Sequence, residues 1–267
     1  MIRWMHRASD ATLGRWRRWS RQRELDRFAI ADALWQANLA RFPFLARRSD
    51  EDRAALRILV SQFLARKEFS GANGLSVTDE MAVAIASQAC LPVLRLGLGL
   101  YDGWVGIVVH PDHVVARREH LDDDGVLHEY DEPLAGEAMA GGPVMLTWSD
   151  VADAGAWAEE GYNVVIHEFA HILDMRTGEA DGTPPMPTAA ARQQWQRVLL
   201  AAYAAFCDDV AAGLDTVIDP YGAEAPEEFF AVAVEAFFVI PADLRSAHPA
   251  LYALFRNYFS QDPAEVG

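Results

Sequence analysis

The sequence predicts an α+β protein in which helices surround a small, mostly antiparallel sheet. Three observations carry this. Apolar residues recur at helical spacing in the first third, short β-branched and aromatic runs broken by Pro, Asp and Gly fill the middle, and long helical patterns return towards the end. Helices, then strands, then helices is not the alternation that builds a doubly wound parallel sheet.

The 267 residues, 51% hydrophobic and 23% charged, have a folded domain's composition and enough length to bury a core without disulfides or a structural metal. A metal site found here is therefore functional. Cys90 and Cys207 lie far apart in apolar helical stretches and form no CxxC, a pattern of buried thiols that makes the cytoplasm the expected location. A formal charge of −16 repels phosphate over most of the surface and excludes direct nucleic-acid binding as a general role. Residues 1–25 run against that charge. Arg3, Arg7, Arg15, Arg17, Arg18, Arg21 and Arg23, with Trp4, Trp16 and Trp19 between them, face only Asp10 and Glu24. This basic segment stands apart from the body, residues 26–267. It is either a surface-seeking segment for an anionic membrane or an acidic partner, or a terminal helix that frays or folds back on the acidic body. No apolar core of a signal peptide follows it, and no run of about 18 apolar residues offers a transmembrane segment.

In chain order, helical spacing predicts helices over 26–42 and 50–69, broken at Pro43 and the Arg47–Arg48 pair, with a turn at 70–74. Thr78 opens the next helix, whose acidic first turn suits the helix dipole and whose interior, 81–96, is almost wholly apolar; Pro92 kinks or ends it. Strands are predicted over 104–109, 114–117, 126–129 and 144–148. Helices follow over 161–175, 189–210, 226–240 and 249–259, with a Gly/Pro-rich loop at 178–187.

The strongest chemical signal is His167-Glu168-Phe169-Ala170-His171, an HExxH pattern in a buried helical stretch. Four residues advance a helix by about 400°, so His167 and His171 share a face about 6 Å apart along the axis and both imidazoles reach one metal. Glu168 lies about 100° round from His167, beside the metal rather than on it, where it can take a proton from water. Three ionisable side chains among Val, Ile, Phe and Leu cost several kcal/mol if buried unpaired. A metal removes that cost. Asp174 is on the same face and either accepts the free ring N–H of a ligand histidine or caps the helix end.

Two histidines leave a catalytic zinc one protein ligand short. Asp174 and Thr177 exclude a third histidine at short spacing, so the ligand is an acid, and the helix starting at Pro226 supplies it. Glu228 and Glu235 are seven apart, about 20° off one line on an apolar stripe. Glu228 is assigned as metal ligand and Glu235 as acceptor behind a histidine; Glu227, about 100° from Glu228, points to solvent. His110, His113, His120 and His128 lack the close-paired spacing of ligands.

Together, residues 164–174, Asp219-Pro220-Tyr221 with Glu228 and Glu235, Gln88-Ala89-Cys90, Gly136-Glu137-Ala138 and residues 142–148 resemble the Mlc titration factor A family of bacterial zinc peptidases, over about 42–259. The resemblance implies a zincin-like, gluzincin-type catalytic domain similar to that of anthrax lethal factor. It implies zinc on His167, His171 and Glu228, with Glu168 as general base and Tyr221 steadying the transition state. It also implies aminopeptidase-like activity and, in enteric bacteria, binding to the glucose-responsive repressor Mlc. The expected partners are thus a peptide or protein substrate and a transcriptional repressor similar to Mlc. Strand 144–148 either offers an edge for an extended peptide or is a plain strand of the sheet. The rival reading is a repressor-sequestering binding protein with a non-essential metal site, and hydrolysis of a non-peptide amide is a third.

Overall fold

The computed structural model describes residues 28–121, 127–139 and 141–265, and side chains outside 114–134. The basic segment 1–25 lies outside the described residues. Helix α1 (Asp32–Arg41) stops one residue before Pro43, because Phe42 is held extended at φ −119° and ψ 88° ahead of the proline. A short α2 (Pro43–Ala46) precedes α3 (Asp50–Leu64), whose Ser49 cap accepts the Asp52 N–H.

The helical spacing over 50–69 overshoots. Glu68–Gly71 is strand β1, parallel to β2 (Gly106–His110) in the register Glu68↔Gly106 to Gly71↔Val109. Pairing with a distant strand outweighs a local helical pattern here. Between them runs α4 (Asp79–Cys90), capped by Thr78 Oγ1 on the Met81 N–H and ended before Pro92, so β1, α4 and β2 form a parallel crossover unit.

The main sheet runs β1-β2-β6-β5, with β6 at Val144–Thr147 and β5 at Gly136–Ala138. Its first three strands are parallel and only β5 runs antiparallel, against β6. The mostly antiparallel expectation is thus corrected for this sheet: β1 was hidden in a helical pattern, and the long crossover through α4 lets β2 return parallel to it. Antiparallel pairing is confined to β5/β6 and to a separate hairpin of β3 (Val114–Leu121) and β4 (Leu127–Leu134). Of the two readings of strand 144–148, the structure bears out the plain sheet strand. β6 is paired on both sides, so it has no edge to offer a peptide; β5 holds that edge.

Next come α5 (Trp148–Asp153), α6 (Val164–Asp174), α7 (Ala189–Ala211), α8 (Pro226–Val239), α9 (Pro241–Ala247) and α10 (Pro249–Phe259). Residues 229–239 of α8 are all buried, making it the central helix, and α6 packs against it. Phe63, Tyr101, Trp104 and Phe169 cluster behind α6, and Trp195, Phe230 and Phe255 behind α8. Two arginines close the carbonyl end of α8. Arg47 donates to Val239 O at 3.1 Å and buried Arg48 to Phe238 O at 3.4 Å, placing positive charge where the helix dipole is negative. Burial lowers the Arg48 guanidinium to about 10, with nearby Asp52 opposing the shift. Among the described residues, no helix is long and apolar enough to cross a membrane.

Candidate metal centre

Helix α6 is anchored by its cap. Asn163 Oδ1 accepts the Ile166 N–H at 2.9 Å, and its amide nitrogen donates to Gln88 Oε1 of α4 at 2.7 Å; both residues are fully buried. The backbone N–H of Asn163 donates to Glu235 Oε2 on α8, and Glu235 Oε1 lies 2.8 Å from His167 Nδ1. A carboxylate only accepts, so a neutral His167 carries its proton on Nδ1 and turns the Nε2 lone pair inward.

There it meets two others. The Nε2 atoms of His167 and His171 are 3.1 Å apart, and Glu228 Oε2 stands 3.2 Å from the first and 3.4 Å from the second. This oxygen is buried, yet aligned for a hydrogen bond with no partner among the described residues. Three converging lone-pair atoms, one of them orphaned, are what a tetrahedral ion requires: bonds of about 2.0 Å place ligand atoms about 3.3 Å apart. Among the described residues, His167, His171 and Glu228 are the group of His, Cys, Asp and Glu side chains that can share one ion. The residues therefore fit a divalent metal of the zinc type.

The local field agrees. Burial by itself lowers the His167 pKa, but the Glu228 and Glu235 carboxylates outweigh it and raise the ring well above its ordinary value. A site that draws a proton this strongly draws a cation for the same reason. Burial pushes the Glu228 carboxyl up, and the two imidazoles overturn this to hold it well below the usual carboxylate range. Its place in the first turn of α8 adds the helix dipole. Glu168 is buried and raised, desolvation exceeding the opposing pull of His167 and His171. A carboxylate raised in this way suits a general base.

A cleft of about 200 Å³ opens beside His167 and Glu168, walled by Tyr162, Val164 and Val232, and a second of about 260 Å³ continues past His171 to Glu227 and Glu137. Tyr221 borders both. It sits on a 3₁₀ turn (Pro220–Ala223) whose Asp219 accepts its N–H at 2.8 Å, is 43% exposed, and holds its ring 6.1 Å from that of His167. Gly222 lets this turn lie on α8, for a Cβ there would meet Val232 Cγ2 at 2.6 Å and Phe229 Cα at 3.2 Å.

The structure thus brings His167, Glu168, His171, Tyr221, Glu228 and Glu235 to one cleft. Glu227 is half-buried at its rim rather than turned to solvent. Asp174 takes neither of its two expected roles: it accepts the N–H groups of Gly182 and Thr183, each at 2.7 Å, because the following loop folds back over the helix end. His113 pairs with Asp150 at 2.8 Å and is not among the residues that converge on one ion; the side chains of His120 and His128 lie outside those described. Sequence reasoning missed Asn163. An Asn three residues before Ile166, at the head of an apolar helix, is an N-cap signature that was there to be read.

Residues 16–260 match the family described as glucose-regulated metallo-peptidase M90. The chain belongs to that family. Among its relatives are an uncharacterized protein of Synechocystis sp., 39% identical over 232 residues (86% of this chain, 84% of the relative), and Mlc titration factor A of Pectobacterium atrosepticum, 37% identical over 232 residues (86% of each). Mlc titration factor A of Edwardsiella ictaluri is 38% identical over 226 residues, 84% of this chain and 85% of the relative. Membership in M90 implies a metal, and the His-His-Glu group is where this chain can hold one.

Proposed function

We propose that this M90 member is a zinc-dependent peptidase with a zincin-like, gluzincin-type catalytic domain, aminopeptidase-like in action and working in the cytoplasm. The observation that carries the reading is the triangle of His167 Nε2, His171 Nε2 and Glu228 Oε2 with the buried, raised Glu168 beside it. Zinc held by these three residues supplies a Lewis acid that polarises a carbonyl and brings water's pKa towards neutrality. Glu168 takes the proton of the attacking water and hands it to the leaving amine. Tyr221 donates a hydrogen bond from its phenol O–H to the oxyanion as it forms. The outer edge of β5, at the rim of the same cleft, pairs with an extended peptide.

The test is metal content and turnover in one preparation. About one zinc per chain is expected, and Glu168→Gln should keep the metal while losing about 10²-fold or more of peptidase activity, the scale of general base catalysis. A variant with full turnover would remove Glu168 from the reaction, and a protein that takes up no transition metal would remove the reading.

A second reading has one observation in its favour: relatives bear the name Mlc titration factor A. On it, the chain binds a transcriptional repressor similar to Mlc, and the Glu168→Gln protein still does so. A binder has no use for a buried carboxylate that is not a ligand, which favours catalysis.

A further inference from the structure

Glu168 has to be aimed, and among the described residues no group donates to its carboxylate. The neighbour that limits it is backbone. A Cβ built on Gly136 would stand 2.5 Å from Glu168 Oε1, 2.7 Å from its Cγ and 2.8 Å from its Cδ. Gly136 does not lie in the left-handed region, so its backbone conformation suits other residues, and the three atoms nearest such a Cβ all belong to the Glu168 side chain. Nor can the strand easily retreat, since Gly136 is paired with Leu146 and Ala135 O accepts the Thr147 N–H at 2.8 Å. On the other side, α6 is fixed in the core. Gly136 and Glu168 border both cavities of the cleft, so the carboxylate stands at the waist between them, held there by contact with β5.

We infer that Gly136 is a positioning residue for Glu168: the side chain it lacks is the space in which the base stands, and strand β5 keeps the carboxylate at the waist of the cleft. This rests on the proposed role of Glu168. A methyl group at 136 displaces the flexible end of Glu168 into one of the two cavities and leaves the fold intact. Moving that side chain lowers stability, and the larger cost falls on rate, where an error of about 1 Å in a reacting group is worth about 10²-fold.

The experiment compares wild type, Gly136→Ala, Glu168→Ala and the double variant. Gly136→Ala is expected to lower kcat by about 10²-fold with KM and zinc content unchanged, and a crystal structure of its metal-free form to show the Glu168 carboxylate moved into a cavity. Thermal stability gives an arm independent of activity: alanine at 136 should cost nothing in the Glu168→Ala background, where its obstacle is gone. If Gly136→Ala alone fails to fold, the double variant is expected to fold. A Glu168 carboxylate that has not moved, an unchanged kcat, or equal destabilisation in both backgrounds would overturn the inference. If wild type cleaves no peptide, the proposed function falls, while the structural and stability arms still decide what Gly136 does.

Discussion

Glu235 holds His167 with one carboxylate oxygen, Oε1 at 2.8 Å from Nδ1, and the first turn of the same helix with the other, through the Asn163 N–H. A single side chain on α8 thus sets both the position of α6 and the rotation of a ring upon it. Glu235→Gln cannot serve both donors, since its NH₂ must face one of them. Metal affinity should fall by about 10–100-fold, as for other groups that orient a ligand histidine. Competition with a chromogenic chelator measures it, and an unaltered affinity would mean that the ring is held by other contacts.

The neighbouring acids Glu227 and Glu228 should separate cleanly. Glu228 Oε2 closes the triangle with the two imidazoles, whereas Glu227 stands at the rim of the cleft. Glu228→Gln should purify with little metal, and Glu227→Gln with its full complement. Elemental analysis of the two proteins decides, and the reverse pattern would make Glu227 the ligand.

Tyr221→Phe should lower kcat by about 10²-fold with little change in KM, because one oxyanion donor is worth roughly 3 kcal/mol in the transition state. Zinc content and stability should hold, since the ring is 43% exposed and its turn is fixed by the backbone N–H on Asp219. Steady-state kinetics on a cleavable peptide give the answer; an unchanged kcat would leave Tyr221 as a wall of the cleft.

Asn163→Ala removes an N-cap and leaves Gln88 Oε1 buried without its donor. Together these should cost about 2–3 kcal/mol of stability. Urea unfolding of the metal-free protein reads this directly, and a loss below about 0.5 kcal/mol would show that the buried amide pair adds nothing.

The chemistry was more legible than the sheet. His167, Glu168 and His171 are four residues apart at most, so helical geometry alone fixes their relative directions, and Glu228 and Glu235 are set by the same periodicity on α8. β1 was not legible because Glu68–Gly71 prolongs the helical spacing of α3, and only its partner β2, far along the chain, makes it a strand. The parallel order followed from that strand. Helical spacing relates Asp174 to its neighbours on the helix, yet its partners are backbone N–H groups eight and nine residues on, a contact that periodicity does not encode. Gly136 was visible as a residue, while its contact with Glu168 exists only once β5 has been laid across α6.

The Asp174 contact also marks where this protein tolerates a change of length. Gly182 and Thr183 are pinned by Asp174, Trp195 Nε1 donates to Gly182 O at 2.7 Å, and Arg192 ties Asp181 at 2.8 Å. The few residues between Thr177 and Asp181 thus hang from two fixed posts, and one of them, Ala180, borders the cleft beside His171. Insertions there close a slightly larger loop at an entropic cost that grows only slowly with length. The tip is consequently a graft point: new side chains can be brought to the mouth of the cleft by lengthening it, with the helices beneath left in place.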